Sequence, residues 1–440
     1  MIWSLFVLLL TLVLLVVSIS KWNVHPFFAL LLAALALGVC LGLGGAHTVE
    51  VVLTGFGNTM KWIAMVVVLG AFIGEVLRET GGALRISDKL VKWLGERRLP
   101  WALGLTGYLV SIPVFVDVAY IVLQPITEAL SVRSRRPVLV LGLALAAGLT
   151  VSHTLIPPTP GPLAVAALLE VNMGRMLLVN TLAGVFAMAA GILWAVHFCR
   201  AFHLPYDDQL RVQEVQPRPT GAHAPVVMDL LPILVPIGLM GLGAFLEADT
   251  GRWPGEVLAL LSTPLIAVLV GAGIAALQYG RAGQPGKLSK LAEQAIVKSA
   301  LVIMITGAGG AFGHVIRESG VQDHLGSFLA TVPALGFLLP FLIAAVLTTA
   351  TGSITVSLIG TASIVAPMAD SMPCSPEIMA ALIGCGSFCV FHANSSFFWL
   401  LNRLHDVPVP VLYRTFTPQS LVMGLAGLLA VLLMWSLGLA

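Results

Sequence analysis

"GEVLRETG" (Gly74–Gly81) returns late in the chain as "GHVIRESG" (Gly313–Gly320), and that return decides the fold. An offset of 239 residues carries Arg78 to Arg317 and Gly81 to Gly320. The same ungapped offset carries His153 to His392, in a different segment, and lays the apolar run 175–199 on the last one, near 414–438. One octapeptide can recur by chance; separate segments sharing one offset mark an internal repeat. "RETG" and "RESG" read as helix ends, with Gly81 and Gly320 at the position after the cap, where glycine accepts a left-handed backbone. Glu75 and His314 also correspond and read as polarity at an interface.

Working outward, the repeat is written in apolar helices. Of 440 residues, 58% are hydrophobic and 10% charged, against about 25% charged in soluble domains. Several runs approach the roughly 20 residues that cross a bilayer as helix. The class is an all-α polytopic membrane protein. The first half (1–200) offers helices near 2–18, 24–45, 62–77, 137–172 and 175–199. The second (227–440) offers 228–247, 257–277, 297–316, 376–402 and 416–438. A polar linker, 201–226, joins them. The start, "MIWSLFVLLL", lacks a basic region before its long apolar core and reads as a retained helix, not a secretory signal.

Each half holds one further segment, 99–131 and 338–371. Pro113 divides the first into arms of about 15 residues, short of a full crossing. Arg97 and Arg98 precede it, and Arg133, Arg135 and Arg136 follow. Lys and Arg concentrate in cytoplasmic loops, so 99–131 is expected to enter and return as a re-entrant hairpin. Asp370 and Glu377 flank the second hairpin, which is expected to enter from outside. Five crossings plus a hairpin per half invert the second copy. Lys21 sets 19–23 inside. Glu247, Asp249 and Glu256 set 247–256 outside against Arg252. Arg281, Lys287, Lys290 and Lys298 set 279–298 inside. Both termini are then outside.

Two helices are interrupted. "SHTLIPPTPGP" (Ser152–Pro162) breaks 137–172, and "FHANSS" (Phe391–Ser396) breaks 376–402. Proline inside a helix removes a hydrogen bond and clashes with the preceding turn. Inverted repeats with broken helices are a transporter signature, with substrate held at the midplane. The hairpin tips "SIPVFVD" and "TATGSIT" are expected to meet these breaks. Half-helix N-termini attract anions, and half-helix carbonyl ends hold cations. Hydroxyls and backbone at Ser111, Pro113, Ser152, Thr154, Thr159, Gly161, Thr351, Gly352, Ser353, Thr355, Asn394, Ser395 and Ser396, with His153 and His392, form the candidate substrate site. That inventory suits a small hydroxylated carboxylate. No Arg or Lys clamp for a phosphorylated substrate stands there.

Asp117 is the acidic residue at the first tip. Intramembrane carboxylates are costly and mostly functional, so it is the first candidate for proton coupling; a structural carboxylate capping backbone N–H groups is the plainer alternative. His153 and His392 are further candidates, being titratable near neutral pH and symmetrically placed; each alone is more often a hydrogen-bonded packing residue. Both histidines are expected to face a common central cavity. Cys40, Cys199, Cys374, Cys385 and Cys389 read as small apolar side chains, with no disulfide framework or metal set. No cofactor and no nucleic-acid partner are expected, and no catalytic triad appears: Ser152 and His153 are mere chain neighbours. A membrane enzyme built on His153 and His392 is the rival from another class; a metal assay on the purified protein addresses it.

At these residues the chain resembles the gluconate permease family, proton symporters of the ion transporter superfamily. The likeness runs over most of the chain and is strongest at "IPVFVDVAYIVLQP", "SHTLIPPTPGPLAVA", "GAGGAFGHVIRESGV" and "HANSSFFWL". It implies uptake of gluconate or related sugar acids, or of D-serine, across the bacterial inner membrane. The superfamily implies scaffold and transport subdomains, a homodimer and elevator-like movement. Where the family typically has Glu, this chain has Asp117; where it has an Asn–Asp pair, this chain has Asn394–Ser395. These departures bear on specificity and on the coupling ion, and leave a shorter hydroxy acid and a sodium-coupled carrier as alternatives.

Overall fold

A computed structural model describes residues 2–22, 24–202, 225–245, 253–281, 285–320, 333–393 and 395–438. All regular structure among them is helical. The first half contains α1 (Ile2–Ser20), α2 (Pro26–Cys40), α3 (Gly45–Glu79) and α4 (Gly82–Leu94). There follow α5 (Leu99–Val110), α6 (Val116–Ser134), α7 (Val138–Leu155), α8 (Pro160–Leu169) and α9 (Met173–Phe198). The second half contains α10 (Val226–Phe245), α11 (Trp253–Ser262), α12 (Pro264–Arg281) and α13 (Leu288–Glu318). It ends with α14 (Pro333–Thr351), α15 (Ile354–Val365), α16 (Pro376–Ser387), α17 (Ser396–Leu404) and α18 (Val409–Ser436).

Helix ends recur at the repeat offset: α3 stops at Glu79 and α13 at Glu318, and α9 and α18 also correspond. Gly81 and Gly320 carry φ of +70° and +67°, the left-handed conformation expected after both helix ends. Pairings recur too. α5 packs on α7 as α14 does on α16, and α7 packs on α9 as α16 does on α18. α2 packs on α13 and α12 on α3, each half bracing the other. α3 meets α13, and α9 meets α18, across the centre.

The helix expected at 62–77 begins at Gly45. Its first turns are amphipathic, with Val51, Val52 and Gly55 buried and Asn58 and Lys61 exposed, so a hydropathy reading missed them. The helix expected at 257–277 is divided at Thr263, because Pro264 disfavours helical backbone at the residue before it. The run expected to reach residue 45 stops at Cys40, where Gly42 and Gly44 take positive φ. Lys298 is not in a loop: it lies within α13, and its Nζ pairs with Glu75 of α3. The hairpin arms are unequal, 12 and 19 residues in the first and 19 and 12 in the second. The excess of α6 is its polar last turns, with Gln124, Glu128 and Arg133. The linker's residues 203–224 lie outside the described residues.

Every residue of α7 is buried, as expected of a helix apolar all round. Exposed apolar side chains lie on peripheral helices: Trp3, Phe6 and Leu9 on α1, Leu182 and Phe186 on α9, Leu429 and Leu433 on α18. Such a surface fits lipid, not water. Among the described residues, five helices are long and apolar enough to cross a membrane; the α7–α8 path counts as one, and another is Ile354–Ser371, α15 with the 3-10 turn that continues it, so the second arm of 338–371 is itself of spanning length.

Candidate substrate and coupling site

The first break is short. α7 continues through Ser152, His153 and Thr154 to Leu155, and α8 restarts at Pro160, leaving 156–159 non-helical. Pro160 can open a helix because its missing N–H would have had no intrahelical partner. The second break is longer, 388–395, and holds His392. The two histidines therefore differ: His153 is helical and buried, His392 non-helical and half-buried. Asn394 lies outside the described residues.

Side-chain contacts join all four segments. The His153 ring lies 5.7 Å from that of Phe115 at the first tip. His392 Nε2 is 2.8 Å from the carbonyl of Thr349, at the end of α14, and Thr349 Oγ1 accepts from Val390 N. Ser396 Oγ donates to Asp117 Oδ2 at 3.5 Å, joining the second break to the first tip. A Cβ at Gly161, in the first turn of α8, would stand 2.5 Å from Leu358 of α15, joining the first break to the second hairpin.

Four helices start here: α6, α8, α15 and α17. Ser353 caps α15 by accepting from Val356 N. Neither Phe115, Thr159 nor Ser395 caps α6, α8 or α17 with its side chain. The starts of α6 and α17 leave first-turn N–H groups for a ligand, and α8 leaves that of Gly161 alone, since Pro160 and Pro162 have none. Four helices also end here, α5, α7, α14 and α16, and their last turns carry carbonyls without a helical partner. Amides from the last helix of each half meet the buried carbonyls of α7: Asn180 Nδ2 donates to Leu155 O at 2.8 Å, and Gln419 Nε2 to Leu143 O at 3.0 Å. Asn180 and Gln419 are themselves 239 apart.

Several expected hydroxyls are engaged locally. Ser111 donates to Val114 O, Thr154 to Thr150 O, Thr159 to Ile156 O and Thr351 to Leu347 O. They keep acceptor lone pairs for a ligand. Gly352 takes φ +69° to turn the second tip. Thr355 follows it in the first turn of α15 and is half-buried, whereas Pro113 is buried in the first tip. Ser395 is buried and Ser396 exposed. Ser152 Oγ and His153 Nδ1 are buried with no hydrogen-bond partner among the described residues.

Two features were not read from the sequence. On α3, Gly70 faces Pro158 O of the first break and Gly74 faces Pro113 O of the first tip, so one glycine edge seats both. The repeat reproduces that edge as Gly309 and Gly313, which face Ser363 of α15. Below Asp117 on α6 runs a buried polar chain. Tyr120 Oη is 2.8 Å from His405 Nε2, His405 Nδ1 is 3.7 Å from Glu128 Oε1, and Gln124 Nε2 donates to Glu128 at 2.8 Å. The spacing of 120, 124 and 128 puts them on one helix face; His405 belongs to no recognisable motif.

The family model for GntP family permease matches residues 3–438. The chain is a GntP family permease. The permease is therefore a multi-pass membrane transporter and not an enzyme. It is 31% identical to the gluconate permease of Pseudomonas aeruginosa, covering 97% of this chain and 96% of that protein. It is 29% identical to the D-serine transporter DsdX of Escherichia coli K12, covering 97% of each. In fold the permease is similar to the YdaH transporter of Alcanivorax borkumensis, at TM-score 0.68 and 16% identity, over 94% of this chain and 99% of that one.

Proposed function

We propose that the permease imports gluconate or a related small hydroxylated carboxylate together with a proton across the bacterial inner membrane. The observation that carries this reading is the meeting of three uncapped helix starts, α6, α8 and α17, with Asp117 in the first turn of one of them. Helix N-termini stabilise a carboxylate, while the hydroxyls and backbone groups nearby suit the substrate's own hydroxyls. Gluconate and D-serine, named for the relatives, both carry an ionised carboxylate and a hydroxyl.

In this reading Asp117 takes a proton from the outer side as the anion binds beside it. Neutralising the carboxylate removes repulsion, so proton and anion favour each other's binding, as linkage requires. The proton then leaves inward along Tyr120, His405 and Glu128, towards the arginines that flank the hairpin. The two halves are inverted relative to one another, with both termini outside, and the hairpins and broken helices move as the transport part of an elevator in a homodimer. The shared offset and the paired helix contacts support that arrangement.

The test is uptake of labelled gluconate by proteoliposomes, with D-serine as competitor. An imposed inward proton gradient is expected to drive accumulation without sodium. The carbonyl ends of α5, α7, α14 and α16 at the same centre favour a second reading, a sodium-coupled carrier. Accumulation driven by sodium alone at constant pH would select it.

A further inference from the structure

The repeat places Glu75 against His314, Arg78 against Arg317 and Lys298 against Thr59. These pairs have opposite fates. In the first half the Glu75 carboxylate is buried and held by two cations: Arg78 Nε donates to Oε2 at 3.1 Å, and Lys298 Nζ pairs with Oε1. At the related position the anion is replaced by an imidazole, and a cavity of about 320 Å³ opens. Asn58, Thr59 and Lys61 of α3, His314 and Arg317 of α13, and Glu170 after α8 supply its polar lining. Among the described residues, no acidic side chain lies within ion-pair distance of Lys61 or Arg317.

We propose that this cavity is a second anion site, an entry vestibule in which the carboxylate of a small organic acid sits between Arg317 and Lys61, in the role Glu75 plays in the other half. The assignment rests on the transport reading above for its substrate, but its chemistry is independent of it. The volume falls within the roughly 300–1,000 Å³ of small-molecule pockets. The cavity reaches the C-terminal part of α8 and Ser363 of α15, helices that start at the first break and the second tip. At about 1.5 Å per residue, α8 spans some 15 Å from cavity to centre. Glu170 and the C-terminal dipole of α8 oppose an anion, so occupancy is brief, as a waiting site requires.

The probe is sodium acetate, titrated calorimetrically into purified protein at constant ionic strength, with sodium chloride as control. Arg317→Gln and Lys61→Gln are each expected to lose one bound acetate, or to weaken its Kd tenfold or more. Glu170→Gln is expected to strengthen it about threefold. His314→Glu supplies an internal carboxylate like Glu75 and is expected to exclude acetate from the cavity. Size-exclusion profile and melting temperature identify any variant that fails to fold. In gluconate uptake, Arg317→Gln is expected to raise KM tenfold with maximal rate within threefold. Acetate binding within twofold of wild type in folded Arg317→Gln and Lys61→Gln overturns the site, whether or not gluconate is transported. Loss of acetate binding in those variants, with no gluconate uptake by wild type, upholds the site and rejects the proposed substrate.

Discussion

Asp117 and Ser396 lie 279 residues apart in sequence and 3.5 Å apart in space. Changing Asp117 to Asn keeps the side chain's shape and its capacity to accept from Ser396, while removing the group that takes up a proton. Asp117→Asn is expected to exchange labelled for unlabelled gluconate at a rate within about threefold of wild type. It is expected to lose accumulation driven by a pH gradient. Wild-type accumulation by this variant would remove Asp117 from the coupling role and turn attention to His153 and His392. Tyr120→Phe deletes the hydroxyl that meets His405 in a buried setting. Proton-driven uptake should slow about tenfold while exchange is unaffected; equal slowing of both would make the chain structural. At this scale the sequence was partly legible. Asp117, His153 and His392 stood out because titratable side chains are rare in apolar runs. Glu75, in contrast, passed for interface polarity: Arg78 is its neighbour one turn on, but the second cation that holds it is 223 residues away. Charge pairing of that range depends on the packing of α3 on α13, which no local pattern encodes.

Among the elements, α3 sets the position of both the first tip and the first break. A Cβ at Gly74 would come within 2.1 Å of Pro113 O, and one at Gly70 within 3.0 Å of Pro158 O. The first overlap is with backbone, so no side-chain rotation relieves it. Gly74→Ala is expected to cut uptake tenfold or more while the protein still inserts and purifies. Gly57→Ala, with open space around it, should be neutral; normal uptake in Gly74→Ala would show the tip to be yielding. The amphipathic α4 is fixed differently. Arg85 donates to both carboxylate oxygens of Asp229 on α10, at 2.8 and 2.6 Å, and to Thr80 O. Both side chains are largely buried, so Arg85→Ala leaves Asp229 uncompensated, at about 3–5 kcal/mol. The check is the melting temperature in detergent, and Asp229→Ala should lower it comparably. The break at 156–159 and the turns after α5 and α14 were legible because proline and glycine punctuate apolar runs, and the break at 388–395 through its polar "FHANSS". Helix limits were less so: the start of α3 hides behind its polar face, and Pro264 divides a run that hydropathy alone joins.

For the whole molecule, the repeat was the most legible feature, since one offset governs the glycine edges, the helix ends and the amides at Asn180 and Gln419. Orientation in the bilayer rests on loop charge. Single cysteines at Ser134 and Ser371, in a background without the five native ones, should react with an impermeant reagent from opposite sides of the membrane. Reaction of both from one side would exclude inverted halves. A last consequence concerns biosynthesis. α7 is buried throughout, and among its neighbours are α16 and α18, which the ribosome makes more than 200 residues later. Until those arrive, the carbonyls of Pro157 and Pro158, which lie outside any helical ladder, have no place in hydrocarbon, where unpaired peptide groups are excluded. The nascent first half must therefore wait in a sheltered, partly hydrated setting, such as an insertase can provide, and be released to lipid only once the final helices close over it.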